Sequence, residues 1–339
     1  MDLAAAKDTR VYVGLSGGVD SAVSAALLKE TGARVAGVFI KGWYPPGLPC
    51  TWASERRDAM RVAARLAIPF VTLDASAEYK RGVIDYLLAE YKAGRTPNPD
   101  VMCNREVKFG AFYHYATEHG AEYIATGHYL SGEKDQRYFL WAVPKEALRR
   151  TIFPLAGYEK PAVRALAKRF DLPVAEKPDS QGICFLGPVS VEDFLRAEFG
   201  EAPGEALDQE GKAVGTHQGA ALYTIGERVP LPGGPWYVLA KDMARNIIRV
   251  SHEHAGPQKA TCIPFSQANW HTEPGGELDA QYRYRGPRVH GQIKATVHVG
   301  TPTSYLFEPK VPLKETPAPG QSLVFYRNDE LVGGGIIGA

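Results

Sequence analysis

The chain has 339 residues, 45% of them hydrophobic, and a net charge of only +1. That length suits two or three domains, the charge balance argues against a globally basic nucleic-acid binder, and the lack of an eighteen-residue apolar run leaves no membrane span. The N-terminal Met1-Asp2-Leu3-Ala4-Ala5-Ala6-Lys7 carries neither a signal peptide's apolar core nor a transit peptide's Arg/Ser bias. A cytoplasmic protein with no membrane partner is therefore expected.

Residues 11–15 read as a short buried strand, and residues 21–29, rich in Ala and Leu, as an amphipathic helix. Between them lies Ser16-Gly17-Gly18-Val19-Asp20-Ser21. The glycine pair lets the backbone turn sharply, so that bare N–H groups, two hydroxyls and a helix N-terminus form a cradle for an anion. An ordinary capped turn explains Gly17, Asp20 and Ser21 singly, but explains their order less well. The string lacks the Gly-Lys-Ser/Thr of a Walker A loop and does not follow GxGxxG. It resembles the pyrophosphate loop of the ATP pyrophosphatases, which split ATP into AMP and pyrophosphate.

Further strand-like runs at 34–40, 70–73 and 122–126 alternate with helical patterns near 53–66, 78–93 and 105–119. That alternation is the texture of an α/β domain with a doubly wound, mostly parallel sheet, in which ligands bind beyond the carboxyl ends of the strands. Helical patterns continue at 160–170 and 191–199. From 145 to 177 eight Lys/Arg face four acids, a surplus that fits a phosphate-contacting surface and a solvated helix face equally well. After about residue 200 glycine and proline become frequent, and the stretches 236–239 and 247–250 look like antiparallel strands. The runs 291–299 and 322–326 then alternate in a two-residue rhythm. The expected organisation is a catalytic domain over 1–187, a small β-rich middle domain over 188–254, and a β-barrel or sandwich over 255–339, with the barrel preferred.

Four cysteines, Cys50, Cys103, Cys184 and Cys262, show no CxxC or Cys/His spacing, so no local metal site is expected. Isolated cysteines are usually small buried hydrophobes. Cys103 closes Gly94-Arg95-Thr96-Pro97-Asn98-Pro99-Asp100-Val101-Met102-Cys103, where two prolines are expected to hold the chain extended until a helix begins near Arg105. Cys103 would then lie near a helix N-terminus, with Arg105 and Lys108 also favouring a thiolate. Asp100 would serve as an acid, a base or a ligand-orienting group. A rigid loop with a buried cysteine and a capping Asp fits the same residues. Cys184, in Asp179-Ser180-Gln181-Gly182-Ile183-Cys184-Phe185, reads either as a thiol on a flexible loop or as a simple buried residue.

Taken together and in order, these segments resemble the bacterial tRNA-specific 2-thiouridylases, members of the ATP pyrophosphatase superfamily with an adenine nucleotide alpha-hydrolase-like domain. The matching residues include Gly14–Ser21, 93–100 with Cys103-Asn104, 125–129, Lys134-Asp135-Gln136, 179–185, His217-Gln218-Gly219, Pro235-Trp236-Tyr237-Val238, Arg283-Tyr284-Arg285, 319–322 and 333–337, and the match covers nearly the whole chain. The resemblance implies that ATP with Mg2+ binds Gly14, Leu15, Ser16, Gly17, Gly18, Val19, Asp20 and Ser21, with the backbone at Ile40 and Gly127 near the adenosine and Asp20 a candidate magnesium contact. It implies that the C2 oxygen of a flipped-out wobble uridine attacks the α-phosphate, and that Cys184 carries sulfur as a persulfide from a donor protein or cysteine desulfurase. Cys103 would attack that persulfide, and Asp100 would act as acid/base or hold the base. Contacts to the tRNA anticodon stem-loop would come from Asn98, Pro99, Asp100, His128, Lys134, Asp135, Gln136, Arg283, Tyr284 and Gln321.

The chain departs from the family pattern in two places. His128 and Lys134 stand only six residues apart, where the family usually carries a longer insertion, and Lys41-Gly42-Trp43-Tyr44-Pro45 lacks the usual Asn and acidic residues. Two other readings compete. An amidotransferase-type ATP pyrophosphatase would need the cradle but not the cysteines. A non-catalytic tRNA-binding protein would need neither.

Overall fold

The computed structural model describes residues 3–45, 51–178, 190–253, 261–296, 304–313 and 317–338. They form two compact units. One comprises Met1–Ile84 with Asp100–Val189, and the other Asp85–Pro99 with Ser190–Ala339.

The first unit is built on five parallel strands, β1 (Arg10–Gly14), β2 (Arg34–Lys41), β3 (Phe70–Asp74), β4 (Tyr123–Ala125) and β5 (Thr151–Ile152), in the order β3-β2-β1-β4-β5. The order reverses between β1 and β4, which places the ligand crevice of such sheets at their carboxyl ends. Helix α1 (Val19–Glu30) is buried along nearly all its length because it packs both on the sheet and against α8 (Lys160–Arg169), which follows the short α7 (Lys145–Arg149) in the chain. Its Ala and Leu side chains therefore fill the core all round, not along one stripe. Helix α2 (Trp52–Arg65) buries the more usual single face, Ala59, Val62 and Ala63.

The helical region expected near 78–93 is continuous but mixed. It runs as α3 (Ser76–Tyr79), a π segment (Lys80–Asp85) and α4 (Tyr86–Lys92). The next one begins earlier than expected. Helix α5 (Pro99–Cys103) leads through a π segment (Asn104–Ala111) into α6 (Phe112–Glu118). Pro99 starts the helix instead of delaying it, because a proline at the first helical position lacks only an N–H that would be unsatisfied there anyway.

In the second unit, α9 (Val191–Phe199), capped by the Ser190 hydroxyl, precedes a five-stranded sheet of order β7-β6-β10-β9-β8. Its strands are β6 (Gly204–Leu207), β7 (Ala213–His217), β8 (Arg228–Val229), β9 (Trp236–Asp242) and β10 (Ile247–Ser251). Trp236, Val238, Ile248 and Val250 form its core.

The remaining six strands are β11 (Ile263–Trp270), β12 (Glu277–Gln281), β13 (Val289–Thr296), β14 (Ser304–Pro309), β15 (Ser322–Arg327) and β16 (Glu330–Ile337). They close a barrel in the order β11-β14-β13-β12-β15-β16. Phe265, Phe307 and Phe325 meet inside it with ring centroids 5.2–5.5 Å apart along Phe265–Phe325–Phe307. Closure removes sheet edges, which settles the barrel-or-sandwich choice. Among the described residues no helix is long and apolar enough to cross a membrane.

Candidate active site

At the end of β1 the chain turns through the glycine cradle. Gly17 adopts φ +78°, and a β-carbon there would overlap the Glu55 carbonyl oxygen. The Ser16 N–H donates to Ser21 Oγ at 3.2 Å, the Gly18 N–H donates to Ser16 Oγ at 3.3 Å, and Ser21 Oγ–H donates to the Gly18 carbonyl at 3.2 Å. These bonds shape the loop from within. Helix α1 follows with no side chain capping its N-terminus, so its positive end faces the crevice. Gly127, just past β4, lies against that end: a β-carbon there would stand 2.9 Å from the Ser21 nitrogen. Gly14 and Ile40 meet at the mouth of the same crevice.

Charged side chains that sequence reasoning had not placed here complete the cradle. Asp20 Oδ1 accepts from Tyr129 Oη at 2.6 Å and from Lys160 Nζ at 2.8 Å. Lys177 Nζ donates to the Gly17 carbonyl at 3.0 Å and to Asp58 Oδ2 at 2.7 Å. Two lysines thus flank a loop already suited to an anion. Both belong to the basic run at 145–177, whose other members behave differently. Lys168 pairs with Glu176, Arg169 with Glu30, and Arg164 donates to the carbonyls of Ala175 and Lys177. Of the run's eight members, two therefore reach the cradle, while Arg164, Lys168 and Arg169 bind other parts of the protein.

Cys103 is only 1% exposed and ends the first turns of the helix that begins at Pro99, so it does not sit at an exposed helix N-terminus. Arg105, expected to favour its thiolate, is instead paired with Glu106 at 2.6 Å. Next to it Asn104 is buried and donates to the Phe139 carbonyl at 3.0 Å. Asp100 occupies the first turn of the same helix. Cys184 and the rest of 179–189 lie outside the described residues.

The comparisons with known proteins bear on this geometry. Three family models match consecutive parts of the chain: a tRNA methyl transferase HUP domain over residues 9–188, a tRNA methyl transferase PRC-barrel domain over 192–252, and an aminomethyltransferase beta-barrel domain over 260–337. A tRNA-specific 2-thiouridylase MnmA from Lacticaseibacillus paracasei is 39% identical, covering 97% of this chain and 94% of the relative. One from Streptococcus sanguinis is 40% identical, covering 97% and 95%. The chain belongs to the tRNA-specific 2-thiouridylase family. The U34-tRNA thiolase NcsA from Methanococcus maripaludis, a solved structure, is 19% identical over 57% of this chain and 68% of its own, with a TM-score of 0.37, too distant to add to that assignment.

Several residues singled out from the family pattern are buried or bonded within the protein. His128 is buried, shares a hydrogen bond between Nδ1 and Thr126 Oγ1 at 2.8 Å, and packs beside Phe109 and Phe153. Burial, aided by the nearby Lys108 charge, holds its pKa well below the usual value, so the ring is neutral. Asp135 is engaged by Arg137 through both carboxylate oxygens, and Gln136 Oε1 accepts from the Tyr129 N–H at 3.1 Å. That bond, with Gln136 N–H to the Tyr129 carbonyl at 2.9 Å, closes the shortened loop at its base. Lys134 ends a 3-10 turn (Gly132–Lys134) inside it. In the barrel Arg283 is exposed, and Arg285, which the contact set omitted, lies over the Tyr284 ring at 5.3 Å.

The neutral ring of His128 has a measurable consequence, reinforced by His217, whose pKa burial also lowers. Below the ordinary histidine value of 6.5 the unfolded chain takes up protons that the folded one refuses, so stability falls as pH drops through that region. His290, whose pKa is raised by Glu277 and Asp279, works in the opposite direction, so the contribution of His128 is read by difference: between about pH 7 and 5.5 the melting temperature of His128→Phe, whose ring stays beside Phe109 and Phe153, is expected to fall less steeply than that of the wild type. An unchanged slope in that variant would remove His128 from the account.

Proposed function

We propose that the chain thiolates C2 of the wobble uridine of tRNA, using ATP to activate the base and a cysteine persulfide to supply sulfur. That it is an enzyme of tRNA uridine thiolation follows from its family. The observation that carries the finer reading is the cradle flanked by Lys160 and Lys177 at the switch point of a parallel sheet, a setting for a polyphosphate.

In this reading the loop from Gly14 to Ser21 holds the triphosphate, and Ile40 and Gly127 border the adenosine. The uridine C2 oxygen attacks the α-phosphate, pyrophosphate leaves, and the base carries an adenylate. The terminal sulfur of the Cys184 persulfide then bonds to C2 and AMP departs. The Cys103 thiolate attacks the Cys184 sulfur, the S–S bond of the persulfide breaks, and its electron pair stays with the sulfur on C2. A Cys103–Cys184 disulfide results, which an external thiol must reduce before the next turnover. Asp100 handles the proton or holds the base. A magnesium ion fits the cradle in one respect. Asp20 offers a single carboxylate rather than an all-protein cage, and Mg2+ is commonly held by one or two carboxylates together with substrate phosphates. It would neutralise phosphate charge. RNA contacts are assigned to Asn98, Pro99, Lys134, Arg283 and Tyr284, the anticodon loop being single-stranded and open to stacking and edge recognition. A protein persulfide donor is the implied partner.

The test is incubation of the protein with ATP, Mg2+, a persulfide donor and unmodified tRNA, followed by mass analysis of nucleosides. 2-Thiouridine is the expected product. Unmodified uridine together with ATP-dependent amination of another acceptor would instead support the amidotransferase reading. Lys160→Ala and Lys177→Ala are each expected to weaken ATP binding about ten- to a hundredfold, the worth of one charge-assisted hydrogen bond, measured by calorimetry without tRNA.

A further inference from the structure

The segment that carries Asn98 and Pro99 is held from the barrel, at one turn. Pro97 and Pro99 have no N–H, so the loop 94–99 has few donors with which to fix its own carbonyls. The turn Pro319–Gly320–Gln321 supplies what is missing. The Thr96 N–H donates to the Pro319 carbonyl at 2.8 Å, and Gln321 Nε2 donates to the Thr96 carbonyl at 2.9 Å and the Pro97 carbonyl at 3.4 Å. Gly320, at φ +91°, lets the two backbones touch: a β-carbon there would stand 2.9 Å from both the Thr96 nitrogen and its oxygen. The turn is itself tied to β16 through Gly320 N–H to the Ile337 carbonyl and Ile337 N–H to the Gln321 carbonyl, at 2.9 and 2.8 Å.

The other flank rests on the middle sheet. Thr96 Oγ1 lies 3.4 Å from Thr224 Oγ1, Gly94 fits closely against Met243, and Arg95 holds Glu90 through two bonds of 2.6 and 2.5 Å. Burial at this seam is enough to bring the Lys241 pKa down to about 8 and to push that of Tyr91 up to about 12.

We infer that Gln321 is a positioning residue: both its amide hydrogens are spent on the loop, and it influences the reaction by setting the backbone of Thr96 and Pro97. An amide whose donors are committed has only Oε1 left, an acceptor that cannot hold a phosphate but can still meet a base or ribose donor. The residues placed on RNA begin two positions after Thr96, so a shift of the clasp is passed along a short, proline-stiffened chain to Asn98 and the start of α5. A displacement of the order of 1 Å at groups that orient a reacting base is enough for a large loss of rate. This inference rests on the tRNA-thiolation reading.

The full-length protein tests it with Gln321→Ala, Gly320→Ala and the double variant, measuring thiolation turnover, tRNA affinity by filter binding, ATP affinity and melting temperature. Gly320 has no side chain to reach RNA, yet its variant is expected to share the Gln321→Ala defect: turnover down about tenfold, with tRNA affinity changed less than about twofold. Because both act through one clasp, the double variant is expected to be no worse than the weaker of the two singles, a non-additive cycle. Gln321→Glu, which sets a carboxylate against two carbonyls, is expected to be at least as impaired as Gln321→Ala. Should Gly320→Ala fail to fold, the comparison of Gln321→Ala with Gln321→Glu carries the test alone. Weakened tRNA binding at normal turnover in Gln321→Ala, restored in Gln321→Glu, or an additive double variant, overturns the inference. A wild-type protein that makes no 2-thiouridine overturns the functional reading instead.

Discussion

Cys103→Ala is expected to lower tRNA thiolation by at least about a thousandfold with a persulfide donor, while ATP-dependent pyrophosphate release persists. The side chain is 1% exposed and flanked in α5 by buried Val101 and Met102, so alanine keeps both the helix and the apolar surroundings. Serine is the poorer probe, because it sets a more polar hydroxyl in a fully buried position and so mixes stability with chemistry. If Cys103 acts by attacking the Cys184 persulfide, inorganic sulfide bypasses that step, and the defect should shrink to less than about tenfold when sulfide replaces the protein donor. A thousandfold loss that survives sulfide would move Cys103 to base activation. Full activity with either donor would return it to the small buried hydrophobe that isolated cysteines usually are.

How far the sequence alone reaches can be judged from particular residues. The strand–cradle–helix unit was legible because all its signals are local: an apolar run, Gly17-Gly18 at a junction, and Asp20 and Ser21 in a first turn. Lys160 and Lys177 were not, since they reach the cradle across 140 and 160 residues, and nothing in the basic run at 145–177 marks those two from Lys168 and Arg169, whose acid partners Glu176 and Glu30 lie outside the cradle. The start of the helix at Pro99 was misplaced because proline was weighed as a breaker when its position made it an initiator. The wider-turned π segment at Asn104–Ala111 has no pattern of its own to read. Two-residue alternation implied β structure after residue 255 but is the same for a sandwich and a barrel, and only strand order separates them. Gln321 shows the same limit: its donors are held by carbonyls 224 and 225 residues earlier in the chain, a pairing no local pattern reveals.

The two cradle glycines, alike in sequence, are expected to respond differently to alanine. At Gly17 the positive φ of +78° and the overlap with the Glu55 carbonyl act together, and neither can relax cheaply, because Glu55 belongs to the backbone of α2. Left-handed backbone on a non-glycine residue and a displaced helix turn each cost on the order of 1–3 kcal/mol. Gly17→Ala should therefore lower the melting temperature by several degrees, and it should weaken ATP binding by at least about a hundredfold, since the Gly17 carbonyl is also what Lys177 grips. Gly18 stands at φ −96° and ψ 167°, ordinary extended backbone, and a β-carbon there meets only the Ser16 hydroxyl at 3.3 Å. Gly18→Ala should melt within about two degrees of the wild type, the small shift of a substitution that strains nothing. Its effect on ATP then isolates the ligand. If Gly18→Ala folds normally but binds ATP as poorly as Gly17→Ala, the space over Gly18 is where phosphate approaches the backbone. If it binds normally, the anion is held by the helix end and the two lysines, and Gly18 serves only the turn.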